Sequence, residues 1–506
     1  MGISGDLEAD SGSCLRGGGR GLYHVRGVAV WIAVIFIFLV LVGTGLLIAA
    51  ITVFDGNGIG YKLARLGFAI PLLAVGVMTA LLALDVGRLS PNPRVFLLAT
   101  AIAGAIGNLV IPFIALGRTA WGALIPLGNG WGQDFRQGLY DPAAIFSSAE
   151  SSWPPLTLFF GRPLTLLGPD SGYIVHSVVL VVLGVGAAVL STNLANRATV
   201  ASIQESGGRG RSPMWLFCVS ALWLVTSFGF LMEVERGQMN LHALFFSLLA
   251  VWCLLRFPRS LWLPAISLAI AINLKVFPGV LLVILFWRHR WRALVPVAVS
   301  NAALLLVAGP GNAWSFLKNG MSMESSAYYW SGNHSAAGFA QSIHRVLEWF
   351  PTAMEYVFLA IPVALWVCTG IVLMKRGWSQ RNAVLLAAAS MPVMNIVPAA
   401  SHDYKLVLLV FPLVVLAMLL AEPARARLGS SAWRSTFLGL LGLEMVALSA
   451  STVLFWGRGA KYPFIVFVQL LILGVVLLTR RQDDPEYQKG SMPGSRADTG
   501  REEGTG

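Results

Sequence analysis

The sequence is short of charge. Only 12% of its 506 residues are Asp, Glu, Lys or Arg, about half the roughly 25% of soluble domains. With 56% hydrophobic residues, too few polar side chains remain to cover a water-facing surface, which excludes a soluble fold. Cysteine is also scarce. Cys14, Cys218, Cys253 and Cys368 are dispersed, three of them inside apolar runs, so neither a disulfide framework nor a metal site is expected. No internal repeat relates the two halves of the chain. Gly-rich phosphate loops, zinc-type His motifs and nucleophile elbows are missing from the basic loops, and with them the usual means of holding a soluble nucleotide.

What is present is apolar sequence in span-length pieces. Runs of roughly 17–25 residues, enough to cross a bilayer, recur at Val28–Val53, Leu63–Leu84, Val95–Leu116, Ile174–Leu190 and Phe437–Phe455. Seventeen Trp and 27 Phe supply aromatic mass for lipid-facing and interfacial positions. Val28–Val53 is too long for a signal-peptide core and reads as the first anchor. The fold class is therefore an all-α polytopic membrane protein with about twelve transmembrane helices.

The net charge of +12 does not indicate nucleic acid. The basic residues fall in short clusters between spans, such as Arg197/Arg209/Arg211, Arg256/Arg259, Arg288/Arg290/Arg292 and Lys375/Arg376/Arg381. That is the positive-inside pattern. It puts both termini in the cytoplasm, with tails at 1–26 and 481–506, the latter charged, rich in Gly and Ser and expected to be disordered. The transmembrane domain covers 27–480. Two long loops, 118–170 and 309–351, fall on the outer side of the plasma (inner) membrane. Between the clusters at Arg256/Arg259 and Arg288/Arg290, only Ser260–Trp287 is available, too short for two full spans. A re-entrant hairpin with Lys275 at its tip satisfies both flanks.

Ionisable groups in or near a membrane are costly and so mark function. Asp134 lies just past a span in Trp131-Gly132-Gln133-Asp134-Phe135-Arg136, upstream of Trp153-Pro154-Pro155; a solvated loop aspartate would look the same. Glu233-Val234-Glu235-Arg236-Gly237-Gln238-Met239-Asn240 packs Gln238 and Asn240 beside acidic and basic neighbours. Lys275, in Asn273-Leu274-Lys275-Val276-Phe277-Pro278, either snorkels to an interface or serves as a fixed cation for an anionic headgroup. Gly332-Asn333-His334-Ser335 is followed by His344 and Arg345, and Ser401-His402-Asp403-Tyr404-Lys405 offers a phosphate-binding combination. Glu444, alone in an apolar span, reads as a structural hydrogen-bonding group. All but Glu444 converge on the outer face, describing one extracytoplasmic site with a carboxylate, amides, cations and histidines, suited to a lipid-borne donor.

The ordered series Gly237-Gln238-x-Asn240, Lys275-x-x-Pro278, Gly332-Asn333-His334-Ser335 and His402-Asp403-Tyr404 resembles the GT-C glycosyltransferases of family 87 over about Leu116–Leu420. The Asp134 loop with its Trp-Pro-Pro element resembles that family's first outer loop, with Trp153 in place of the usual Tyr. The resemblance implies a GT-C-like bundle with a re-entrant hairpin, moving a sugar, mannose first, from a polyprenyl-phosphate donor to a glycan or glycolipid acceptor. It implies an inverting reaction with Asp134 as general base and Asp141 as its rival. Lys275, His402 and Arg345 would hold the donor phosphate, and Gln238, Asn240, Asn333, His334 and Tyr404 the sugars. No cofactor or metal is required. A multi-span transporter or lipid-linked glycan flippase is the alternative; it would share the spans and the buried cation, but repeated halves and polar groups at mid-membrane depth are its usual marks.

Overall fold

A computed structural model describes residues 72–82, 92–110, 132–136, 154–200, 213–323, 332–351, 353–422, 431–450 and 461–479. The expected first anchor at Val28–Val53, both tails and Asp141 lie outside the described residues. Among the described residues the fold is helical and contains no strand. In chain order the helices are α1 (Leu72–Leu82), α2 (Pro93–Ala105), α3 (Gln133–Phe135), α4 (Pro155–Thr165), α5 (Pro169–Val200) and α6 (Met214–Thr226). They continue with α7 (Phe228–Arg236), α8 (Asn240–Arg256), α9 (Trp262–Leu274), α10 (Leu282–His289), α11 (Leu294–Leu305) and α12 (Pro310–Met323). The last are α13 (Ala336–Val346), α14 (Met354–Lys375), α15 (Gln380–Ile396), α16 (Val410–Ala421), α17 (Ser431–Ser449) and α18 (Tyr462–Leu478).

Four helical segments are long and apolar enough to cross a membrane among the described residues, or six if each of two bent pairs forms one span. Other apolar helices, such as α1, α8, α9 and α18, are shorter. Apolarity alone does not sort them; burial does. Asp403–Ala421, a 3-10 turn leading into α16, is apolar on every side and buried throughout, as a central helix should be. It packs against α2, α5, α6, α15, α17 and α18. The outer helices keep their apolar residues facing outward. Only a third of the spanning window of Pro169–Thr199 is buried, and less of α14, because lipid is as good a solvent for Val and Leu as the protein interior.

The bundle has two chemically different ends. α5 carries Asp170 in its first turn, paired with Arg136 at 2.5 Å, and ends near Arg197, whose Nη1 donates to Gln380 at the start of α15. α8 runs from Asn240 to Arg256, which lies close enough to Arg197 for their charges to interact. The central segment runs from Asp403 to Glu422, which pairs with Arg94 at the start of α2. One end thus gathers Arg94, Arg197, Arg256 and Arg381; the other gathers the polar motifs.

Two breaks shape the motif end. Ser227 adopts extended geometry between α6 and α7, caps α7 by accepting from the Phe230 N–H, and bends the pair by 53°. The second involves Lys275. α9 is about 20 Å long at 1.5 Å per residue, and Lys275 follows its last residue in extended geometry. Asn273 donates to Asn301 at 2.7 Å, and Leu274 packs near Leu304. α9 and α11 therefore lie alongside in the same direction, and residues 277–293 return between them.

Candidate functional site

The site is built on a turn that only glycine permits. α7 ends at Gly237, whose φ of +70° is left-handed and whose N–H closes on the Glu233 and Val234 carbonyls. This is the usual way to stop a helix and satisfy its last acceptors. A Cβ at Gly237 would also meet the Cβ of Phe135 at 2.6 Å. Glycine is needed for conformation and for close approach alike. Gly237→Ala is accordingly expected to abolish most activity and lower the unfolding midpoint, read by turnover and thermal unfolding of the purified protein.

The turn delivers Gln238 between two charges. Its Nε2 donates to Asp134 Oδ2 at 2.5 Å, and its Oε1 accepts from Lys275 Nζ at 3.2 Å. Arg236 Nε donates to the same Asp134 oxygen at 3.1 Å. Both bonds to Asp134 fall on Oδ2. The short helix α3 is held in register by Gly132, whose N–H donates to the Glu235 carbonyl at 2.7 Å. Two residues on, Asn240 is fully buried and donates to Glu233 Oε2 at 2.9 Å, while Glu233 Oε1 accepts from the Leu241 N–H at 2.8 Å. Glu233 and Asn240 thus tie the end of α7 to the start of α8.

The opposite wall is stapled rather than packed. Asn333 Oδ1 accepts from the Ser335 and Ser401 N–H groups, and its Nδ2 donates to the Ala399 carbonyl. Ser335 caps α13 through the Gly338 N–H and donates its own hydroxyl to Ala399. The His334 N–H donates to the Ser401 carbonyl at 2.7 Å. Its ring Nε2 lies 2.8 Å from Asp403 Oδ1, with both side chains buried. Removing one member leaves a buried polar group without its partner. His334→Ala and Asp403→Ala are each expected to cost about 1–3 kcal/mol of stability, measured by denaturant unfolding.

With Asp403 turned inward, His402, Tyr404 and Lys405 face a cavity of about 730 Å³, whose lining also includes Lys275, Phe277, Phe316 and Met394. Its surface is mostly apolar, and the polar side chains in its lining are Lys275, His402, Tyr404 and Lys405. Lys405 donates to the Ala400 carbonyl and sits 5.3 Å from the centre of the Phe277 ring. Burial, reinforced by the Lys405 charge, pushes the His402 pKa down to about 3. The ring is therefore neutral near pH 7 and offers hydrogen bonds rather than a charge. Below its ordinary value of 6.5 the unfolded chain binds more protons here than the folded one. Stability is then lost as pH falls from about 6.5 toward 3. Thermal unfolding across that range should show the decline, and His402→Gln should flatten part of it.

The residues singled out from the sequence divide into three groups. Asp134, Gln238 and Lys275 form one hydrogen-bonded series, and Lys275, His402 and Tyr404 line one cavity. Asn240, Asn333 and His334 are buried and engaged with partners inside the protein. Arg345 is exposed in the last turn of α13 and is not part of the cavity wall. Arg236 and Lys405 take places at the site that their motifs alone did not assign. Their signal was adjacency to Gln238 and to His402. Among the described residues, no group of three or more His, Cys, Asp or Glu side chains is arranged to hold a metal ion.

Residues 152–400 match the family model of glycosyltransferase family 87. That interval contains Gln238, Lys275, Asn333 and His334, and stops just short of His402. No curated protein matches the chain.

Proposed function

Taking the chain as a membrane glycosyltransferase of family 87, we propose that it transfers a sugar, mannose first, from a polyprenyl-phosphate donor to a glycan or glycolipid acceptor of the cell envelope. The reaction takes place at the extracytoplasmic face of the plasma membrane. The observation that carries this reading is Gln238, whose single amide joins the Asp134 carboxylate to the Lys275 ammonium. A base and a phosphate cation are thereby held at a fixed separation.

Asp134 accepts the proton of the acceptor hydroxyl as that oxygen attacks the anomeric carbon. The bond from the anomeric carbon to the phosphate oxygen breaks, and its electron pair leaves with the lipid phosphate. Direct displacement inverts the anomeric centre, as in one-step glycoside chemistry. The leaving phosphate needs no proton; Lys275 meets its growing charge, aided by Lys405 and by a neutral His402 hydrogen bond. Arg345, carried on α13, reaches the donor phosphate only from the outer rim. Gln238 and Tyr404 contact sugar hydroxyls, while Asn240, Asn333 and His334 shape the walls.

Two further features support a lipid donor. The cavity wall around Lys275 is largely apolar, as a hydrocarbon chain requires. The segment Pro310–Lys318 turns 104° from the preceding helices, and Trp314 on it is exposed. That is the geometry of a helix lying in the interface with an aromatic anchor. The sidedness is supported by the arginine-rich opposite end, which the positive-inside rule assigns to the cytoplasm.

The test is turnover by the full-length protein in nanodiscs, offered polyprenyl-phosphate-mannose and polyprenyl-phosphate-arabinose with a glycolipid acceptor pool. Sugar transfer from either supports the transferase, and the productive donor names the sugar. Movement of lipid or solute without transfer would replace it with the flippase or transporter.

A further inference from the structure

The histidines His176 and His242 have no part in the chemistry above, yet they lie next to its geometry. His176, on α5, is 1% exposed and His242, on α8, 5%. Their rings stack at 5.5 Å and 9°, and His176 in turn faces the Phe135 ring at 5.3 Å and 31°. Phe135 is fully buried and directly follows Asp134. The three rings form one column drawn from α3, α5 and α8. Phe135 is also the residue that presses against the Cα of Gly237. The same column therefore touches both arms that meet at Asp134: the short helix carrying the carboxylate and the turn carrying Gln238.

Packing alone would not select histidine here. His176 Nε2 and His242 Nδ1 have no hydrogen-bond partner, and a buried unpaired polar atom is destabilising. A phenyl ring would fill the space without that cost. The polar edge of His176 is directed at the backbone of Gly237 and Gln238, an interaction that no phenyl ring can supply.

We infer that His176, backed by His242, is a positioning residue that sets the Gly237–Gln238 turn against Phe135, and so fixes the Gln238 amide between Asp134 and Lys275. The geometry stands by itself; only its catalytic consequence rests on the transferase reading. A small displacement of the turn separates Gln238 from both charges together, because one amide serves them both.

The experiment compares wild type, His176→Phe and His176→Asn in nanodiscs, by cryo-electron microscopy and by kinetics in wild-type and Gln238→Ala backgrounds. Phe keeps the ring and loses the polar edge; Asn keeps a nitrogen where Nδ1 stands and loses the ring. In His176→Phe the Gln238 amide is expected to leave Asp134, and kcat/KM to fall roughly 10–100-fold. In the Gln238→Ala background the same change should cost less than about two-fold, because the residue it acts through is already gone. His176→Asn should restore the Gln238 contacts and part of the rate, and it provides the structural readout if His176→Phe does not fold. The proposal is overturned if Gln238 keeps both partners in His176→Phe, if it loses them in His176→Asn, or if the loss is equal in the two backgrounds. A wild type that transfers no sugar would sink the transferase reading, while the Gln238 distances would still decide this one.

Discussion

Replacing Asp134 with Asn is expected to lower kcat roughly 10²–10⁴-fold, the usual worth of a positioned general base, while the protein stays folded. The reasons are local. Asn has the same shape and keeps an oxygen to receive the Gln238 amide, so the Gly237 turn and the Lys275 contact are preserved. What disappears is the ability to take the acceptor's proton. Arg236 loses a charge partner, but that pair is partly open to solvent, with side chains 24% and 16% exposed, so the effect on stability is modest. KM for the donor lipid should be nearly unchanged, because in the proposed reaction the phosphate meets Lys275 and not Asp134. The assay is steady-state transfer in nanodiscs, with thermal unfolding of the same preparation. Full activity in Asp134→Asn would move the base to Asp141, and full activity in both single variants and their double would end the carboxylate mechanism.

The second large effect is expected at Lys275. Lys275→Met keeps the length and apolar bulk of the side chain and removes the cation. Charge grows on the departing phosphate as the glycosidic bond breaks, so an ammonium fixed beforehand stabilises the transition state more than the bound donor. The expected fall in kcat is roughly 10²–10³-fold, with a rise in donor KM and weaker inhibition by free polyprenyl phosphate. Lys405→Met should do less. Its ammonium already donates to the Ala400 carbonyl and lies by the Phe277 ring, so part of its charge is engaged before any phosphate arrives. Equal losses at the two positions would mean that the phosphate sits between the lysines, and that Lys275 has no special place beside Gln238.

Particular residues show how far the sequence could be read. Gly237-Gln238 was visible as a motif, because a glycine closing a helix beside an amide is a local pattern. Lys275 was visible because the stretch between the basic clusters is too short for two full spans, which puts this cation at the tip of a hairpin. Asn333 and His334 were equally visible, but as sugar-contacting groups. Nothing in Gly332–Ser335 says that the amide and imidazole will be used by residues 399–403, which lie more than sixty positions away. Lys405 was named within a phosphate-binding combination and Arg236 beside Gln238, but neither was given a role of its own. Adjacency put them near a motif, and only folding showed that they face the same cavity or the same carboxylate. His176 and His242 carried no signal, since a single histidine in an apolar run looks the same whether or not it stacks.

The sequence by itself determined the solvent and the helical class. Low charge, long apolar runs and scattered basic clusters leave a bilayer as the only medium in which the chain can satisfy its backbone and hide its side chains. It also singled out candidate residues for the chemistry, because ionisable groups in such a chain are costly to place. The tertiary structure decided which of those groups meet. Asp134, Gln238 and Lys275 are separated by 104 and 37 positions in the chain, and their contact depends on a left-handed turn, a ring column and the end of a short helix arriving at one point. Local patterns reflect propensity and burial. Contact between distant side chains depends on how all the helices pack at once.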